Sequence, residues 1–149
     1  MNTVANNGSF AGNMITTRAA GSSRGAVWTG RVLSGLAVAF LIFDSAGKLL
    51  RMPPVVEGTA QLGYPGSVIV PLGVILLTCV LVYVVPRTAV LGAVLLTGYL
   101  GGAVATHVRV ENPLLSHALF PTYVAALLWG GLVLRDPRLR AFLPLRRPA

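Results

Sequence analysis

The sequence predicts an all-α integral membrane protein: a four-helix bundle with short connections and a disordered N-terminal tail. The first observation behind this prediction is the composition, since the 149 residues are 54% hydrophobic and only 11% charged. A soluble globular domain carries about 25% charged residues. The second is the arrangement of the apolar residues in four long runs, each near the roughly 20 residues that cross a bilayer as a helix.

The first 26 residues are expected to form the disordered tail. They are rich in Asn, Gly, Ser, Thr and Ala and show no periodic apolar pattern, which is typical of segments that cannot build a core. A signal peptide needs a basic start followed by an apolar stretch. Residues 1–17 have neither, so we expect the tail to be retained.

The four spans are predicted at residues 27–50, 67–85, 88–106 and 114–134. They belong to one domain over residues 27–143, which leaves a basic tail end at 144–149. The second and third spans contain no charged residue. Buried helices of a soluble protein carry a polar face, and these runs do not, so membrane-spanning helices are favoured.

Two connections between the spans are informative. Pro86 and Arg87 separate the second span from the third, which predicts a tight antiparallel hairpin. The longest loop, residues 51–66, contains Pro54, suited to the first turn of a short helix, and Gly63, suited to its C-terminal cap. The apolar side chains between them predict that this helix lies along the membrane surface.

The distribution of basic residues predicts that both termini are cytoplasmic. Of the 12 basic residues, only Lys48, Arg51 and Arg109 fall on the side opposite the termini, and basic residues mark the cytoplasmic side of a membrane protein. The net charge of +8 therefore reflects topology, with basic ends that can rest on anionic lipids. The lipid bilayer is the expected partner, and nucleic acid is not.

Asp44 and Lys48 lie within the first apolar run. Their i, i+4 spacing places them on one helix face in the order that favours an ion pair. By helix rise, Asp44 lies about 10 Å below the outer boundary, and Lys48 can snorkel to the outer head groups. An acid at the centre of a span costs about 2.5–3.5 kcal/mol, so this face should turn inward. A structural ion pair and a substrate or proton site remain open interpretations.

The segment TGYLGGAVATHVRVENP, residues 97–113, is the other informative stretch. Gly98 and Gly102 form a GxxxG pattern, and Gly101 belongs to a second stripe of small residues beside it. Such residues let helix backbones approach closely. We therefore expect the three glycines to pack helices together within the bundle, with a dimer interface as the less favoured alternative.

Tyr99 and His107 share one face of the third span, and His107 leaves the membrane at the outer end. With Asp44 and Lys48 they fall at one level of the bundle. We predict a small polar pocket in which these two pairs form facing walls and the short helix of the 51–66 loop forms a lid. A dry polar plug remains the alternative.

The histidines do not predict a metal or haem site. His107 and His117 lack a known ligand spacing, and Pro121, just after His117, is expected to kink the fourth span. Cys79 is the only cysteine and is expected to pack within the second span. The sequence contains no phosphate-binding loop, nucleophile elbow or catalytic triad pattern, so no catalytic residue is assigned.

Several stretches resemble the DoxX-like family of small bacterial membrane proteins. They are G-R-x-L from residue 30, AGKLL from residue 46, LGYP from residue 62 and, most specific, TGYLGGAVATHVRV from residue 97. The resemblance covers roughly residues 28–143 and implies a four-helix protein of the inner membrane. The family takes its name from a subunit of a thiosulfate:quinone oxidoreductase, and some relatives are linked to thiol and oxidative stress.

Two classes of function remain open. The first is an accessory or stress- and redox-associated component that binds a quinone-like or lipid-like molecule, or that supports a membrane oxidoreductase as partner. The second is a small transporter or an enzyme that uses the outer polar cluster. Asp44, Lys48, Tyr99 and His107 are the ligand-binding candidates in either case. Quinone is the candidate cofactor, although the sequence requires none, and an oligomer is compatible with the pattern.

Overall fold

The computed structural model describes residues 24–142 and places most of them in helices. The helices are α1 (Arg24–Leu49), α2 (Pro53–Gln61), α3 (Ile69–Val84), α4 (Ala89–Arg109), α5 (Phe120–Arg135) and α6 (Pro137–Phe142). A 3₁₀ turn, Gly66–Val68, leads into α3, and a π-helical turn, Leu114–Ala118, leads into α5. The described residues contain no strand.

Four helical stretches are long and apolar enough to cross a membrane: Arg24–Leu49, Gly66–Val84, Ala89–Arg109 and Leu114–Arg135. They coincide with the four predicted spans, so the predicted all-α, multi-pass membrane architecture is confirmed. Of the tail assigned to residues 1–26, residues 1–23 lie outside the described residues. The basic tail end at 144–149 lies outside them entirely.

The helices extend past the apolar runs at two places. α1 begins at Arg24 instead of residue 27, and α4 ends at Arg109 instead of residue 106. An apolar run marks the thickness of the hydrocarbon layer, whereas backbone hydrogen bonding continues into the head-group region. Charged residues can therefore occupy the last turn of a membrane-spanning helix.

The predicted kink at Pro121 is wrong, because the helix is interrupted before the proline. The π-helical turn ends at Ala118, and α5 starts at Phe120, which places Pro121 in the first turn of the helix. A proline in the first turn costs no helical hydrogen bond, since the backbone N–H groups there have no acceptor within the helix.

The four long helices form an antiparallel bundle with a square arrangement. α1 and α4 each pack against both α3 and α5, so α1 and α4 face each other across the bundle. We call the half that contains the start of α1, the α3–α4 connection and the end of α5 the terminal half. The loop half contains α2 and the connection from α4 to α5.

Glycines bring the helices of the terminal half into backbone contact. A Cβ atom added at Gly92 of α4 would collide with the backbone of Tyr83 in α3. Gly30 of α1 and Gly131 of α5 face each other in the same way, and a Cβ at Gly30 would lie 2.8 Å from the Gly131 carbonyl oxygen. Side chains at these positions would force the helices apart.

Tyr83 joins three helices in the terminal half. Its hydroxyl donates to the Leu128 carbonyl oxygen at 2.9 Å, and it accepts a hydrogen bond from Ser34 Oγ at 2.9 Å. The Arg135 guanidinium stacks over its ring at 5.3 Å from the centroid. Tyr83 is buried, so these partners satisfy a hydroxyl that is shielded from solvent.

The glycines of the small-residue stripes do not pack helices together within the chain. A Cβ atom at Gly98, Gly101 or Gly102 would meet no other atom within 4 Å, and all three residues are exposed. The prediction that these glycines pack helices together within the bundle is therefore wrong, and the dimer interface stays a prediction. The stripe shows where a helix can accept a close neighbour, but its sequence does not show where the neighbouring helices lie.

Candidate functional site

A cavity of about 700 Å³ lies in the loop half between α1 and α4. α2 and the segment after it line it on one side, the start of α5 lines it on another, and α3 contributes Leu72 alone. Both polar and apolar side chains form its walls. The polar ones are Asp44, Lys48, Thr59, Gln61, Tyr64, Tyr99, Thr106, His107, Asn112 and His117.

All four candidate ligand-binding residues line this one cavity. Asp44 and Lys48 come from α1, while Tyr99 and His107 come from the facing helix α4. α2 lines the cavity through Val55, Gly58, Thr59 and Gln61, which is the position expected of the predicted lid. The structure therefore brings together the groups that the sequence placed at one level of the bundle.

Asp44 and Lys48 form an ion pair in which Lys48 Nζ donates to Asp44 Oδ1. The Lys48 side chain is 13% exposed and that of Asp44 is 30% exposed. The lysine was expected to snorkel outward, but it instead turns back to its partner. Helical side chains lean toward the N-terminus of their helix, which directs a lysine at i+4 back over the acid at i. Gly73 of α3 leaves room beside it, because a Cβ there would lie 2.9 Å from Lys48 Cβ.

A hydrogen bond fixes the orientation of the His107 ring. Its Nδ1 lies 2.8 Å from Asn112 Nδ2. Because an amide NH₂ group can only donate, Nδ1 accepts, and a neutral imidazole then carries its proton on Nε2. His107 thus keeps one N–H to offer to a ligand.

The turn that follows α4 brings Asn112 back to His107. Glu111 adopts a left-handed conformation with φ 54°, and the Asn112 backbone N–H donates to the His107 carbonyl oxygen at 3.1 Å. This is a Schellman-type helix end, which reverses the chain within two residues. Asn112 was missed by the sequence analysis, because a non-glycine residue at the left-handed position gives no recognisable signal.

His117 approaches His107 from the turn before α5. The centroids of the two rings lie 6.4 Å apart, and Ser116 Oγ lies 2.8 Å from His117 Nδ1. Within residues 24–142, no three His, Cys, Asp or Glu side chains come close enough together to hold a metal ion. The two rings contribute polar edges to the cavity wall.

The segment after α2 is fastened to α4. Gly63 caps α2 with φ +80°, as the sequence predicted, and Arg109 Nη2 donates to the Leu62 carbonyl oxygen at 2.8 Å. Thr106 Oγ1 donates to the Gly102 carbonyl oxygen, so Tyr64 is the donor in its 2.9 Å bond to Thr106 Oγ1. These contacts hold one side of the cavity in place.

The sequence model of the DoxX-like family matches residues 32–131. The chain belongs to the DoxX-like family. Every residue that lines the cavity lies within the matched range. No curated protein and no solved structure gives a significant match to the chain.

The cavity of this DoxX-like protein combines hydrogen-bond donors with an aromatic and aliphatic wall. Lys48, His107 and Tyr99 supply the donors, while Phe40 and Phe120 meet edge to face with centroids 5.2 Å apart. Its volume falls within the range of about 300–1,000 Å³ common to small-molecule sites. The single cysteine, Cys79, is buried and does not line the cavity.

Proposed function

We propose that this DoxX-like protein binds the polar head group of a quinone-like or lipid-like molecule in the cavity, as an accessory component of a redox- or stress-related membrane system. The observation that carries the proposal is the cavity itself, whose walls combine donors from α1 and from α4 with apolar side chains. A ligand of this class needs acceptor oxygens on its head group and an apolar body.

The donors suit a quinone because its carbonyl oxygens accept hydrogen bonds. Lys48 approaches from α1 and the Nε2–H of His107 from the facing helix, so two donors can engage one head group from two sides. Asp44 neutralises the Lys48 ammonium and holds it in the wall, which lowers the cost of keeping the lysine in a site of low polarity. Tyr99 adds a hydroxyl at a deeper level of α4.

We further propose that the protein resides in the inner membrane with both termini cytoplasmic and the cavity toward the outer face. The support is the small number of basic residues on the loop side. Single cysteines at positions 7 and 149, with Cys79 replaced, should resist an impermeant thiol reagent in intact cells, and a cysteine at position 61 should react. Labelling of either terminus in unbroken cells would reverse the orientation.

The binding proposal is tested by mass spectrometry of the molecules that co-purify in mild detergent. Lys48→Ala and His107→Ala should each retain less of a co-purifying quinone or lipid than the wild type, because each loses one donor to the head group. Arg87→Ala is the matched control for Lys48→Ala, since it removes an exposed positive charge from the opposite half of the bundle. Equal retention by all four proteins would contradict the proposal.

A further inference from the structure

The cavity wall is open at two positions of α4. Gly98 and Gly102 both line the cavity, and both are exposed. A Cβ atom at either position would meet no other atom within 4 Å. At these two positions the wall is helix backbone without a side chain, and because both are exposed, the cavity reaches the outer surface of the bundle there.

The arrangement of the neighbouring helices places this opening between α3 and α4. Trp129 Nε1 of α5 donates to Thr97 Oγ1 at 2.9 Å, which fixes α5 against a different side of α4. α3 touches α4 closely at Gly92 in the terminal half, yet Leu72 is its only contribution to the cavity. The two helices thus touch at Gly92, whereas at Gly98 and Gly102 no atom of α3 lies within 4 Å of the Cβ position, which leaves a gap between them.

The opening lies at the depth of the acyl chains. With a rise of 1.5 Å per residue, Gly102 lies about 10 Å and Gly98 about 16 Å along α4 from Arg109, the charged end of the helix. The next residues on the exposed surface of α4 are apolar, with Val94 53% exposed and Leu91 55% exposed. A surface of this kind, inside a membrane span, faces lipid.

We propose that the cavity takes its ligand sideways from the bilayer, with the polar head group near Lys48 and His107 and an apolar chain that leaves across Gly98 and Gly102 into the lipid. This inference rests on the proposed function and names the ligand class: an amphiphile with one polar head and an apolar chain. A chain-bearing quinone satisfies it, and a chain-free, water-soluble quinone uses only the head-group part of the site.

Gly98 and Gly102 suit the role of an opening because the apolar chain of a ligand can lie directly against their backbone, as a neighbouring helix does at other glycine positions. A leucine at position 98 would fill the opening. The protein also offers a matched control at Gly101. This residue is exposed on the same helix, and no atom lies within 4 Å of its Cβ position, yet it does not line the cavity.

The test compares two probes that share one head group: the chain-free ubiquinone head group and decylubiquinone. Binding is measured by quenching of intrinsic tryptophan fluorescence, with the full chain in lipid nanodiscs. The proteins are the wild type, Gly98→Leu, Gly102→Leu and Gly101→Leu. All three variants should fold, since a Cβ atom at each position meets no other atom within 4 Å and leucine favours a helix more than glycine does. Thermal melting checks this.

Gly98→Leu and Gly102→Leu should weaken decylubiquinone binding by about tenfold, the factor that corresponds to loss of contact for about two methylene groups. Binding of the chain-free head group should change by less than about twofold in Gly98→Leu, because position 98 lies about 13 Å along α4 from His107. Gly101→Leu should bind both probes as the wild type does.

Two results overturn the inference. If Gly98→Leu changes the affinity for the two probes equally, the apolar chain of the ligand does not leave by this opening. If Gly101→Leu weakens decylubiquinone binding as much as Gly98→Leu does, the opening has no special role. In both cases the wild type still binds, so the proposed function stands. Failure of the wild type to bind either probe overturns the proposed function itself, and this inference with it.

Discussion

The glycines of α4 have opposite surroundings in the two halves of the bundle. In the terminal half, Gly92 and Gly131 bring helices into backbone contact. In the loop half, Gly98 and Gly102 of the same helix as Gly92 touch no neighbour and border an open cavity. Within α4 the same residue type therefore allows backbone contact with α3 at Gly92 and leaves the helix without a neighbour at Gly98 and Gly102, and its effect depends on which side of the helix meets a partner.

Two pairs of polar residues, one in each half, show a related contrast. In the terminal half, the hydroxyls of Ser34 and Tyr83 are consumed by hydrogen bonds between helices. In the loop half, Lys48 and His107 make bonds within their own helix or with its cap and also line the cavity. The difference separates a packed half of the bundle from the half that contains the candidate site.

Leucine substitutions at equivalent glycines give the largest expected contrast. Gly92→Leu should destabilise the protein by about 3 kcal/mol or more, because the new side chain meets the backbone of Tyr83, which cannot move aside. Gly98→Leu should leave the stability unchanged or raise it by up to about 1 kcal/mol, because its Cβ meets no other atom and leucine favours the helix. Thermal unfolding in one detergent measures both. Equal melting temperatures for the two variants would remove the distinction between the halves.

Loss of one hydroxyl in the terminal half should have a smaller effect. Tyr83→Phe removes the donor to the Leu128 carbonyl oxygen and the acceptor for Ser34, and should cost about 1–2 kcal/mol of stability. Tyr123→Phe is the control, because that residue is exposed and its bond to Leu115 is 3.4 Å long. If the control loses as much stability as Tyr83→Phe, the interhelical bonds do not hold the terminal half together.

The ion pair of the loop half is tested by a double-mutant cycle. Asp44→Ala and Lys48→Ala each leave one charge without its partner. The double variant should therefore be less destabilised than the sum of the single variants, by about 1 kcal/mol. Strict additivity in thermal unfolding would mean that the pair contributes nothing to the loop half and that the two side chains act independently.

The smallest expected effect is a gain in stability from a substitution in the turn after α4. Glu111 occupies a left-handed conformation that L-residues rarely adopt, and glycine adopts it without strain but with a larger loss of chain entropy. Glu111→Gly should raise the stability by about 0.5 kcal/mol on balance. Glu57→Gly, inside α2, removes the same charge and should lower it by about 1 kcal/mol. Melting curves that shift in the same direction would contradict this interpretation.

The sequence predicted the spans and the level of the candidate residues because both depend on properties of a single helix. The hydrophobic length of a run predicts a crossing, and the helix rise places Asp44 and Tyr99 at similar depths. The spacing of Asp44 from Lys48, and of Tyr99 from His107, also determines which side chains share a helix face. These rules required no knowledge of the neighbouring helices.

The sequence did not predict the features that depend on neighbours or on backbone conformation. The contrast between Gly92 and Gly98 requires knowing where α3 lies, which no periodicity encodes. The left-handed turns at Arg51 and Glu111 are invisible because neither residue is glycine. The position of Pro121 at the start of α5, rather than at a kink, depends on the π-helical turn that precedes it.

Photoaffinity labelling tests most directly whether the cavity of the loop half is a ligand site. Membrane vesicles that contain the full chain are irradiated with an azido-quinone, and the labelled peptides are mapped by tandem mass spectrometry. Labels should fall in residues 40–48 and 98–107 and should disappear when decylubiquinone competes. Labels confined to the terminal half, or labels that decylubiquinone does not displace, would show that the cavity does not bind the quinone head group.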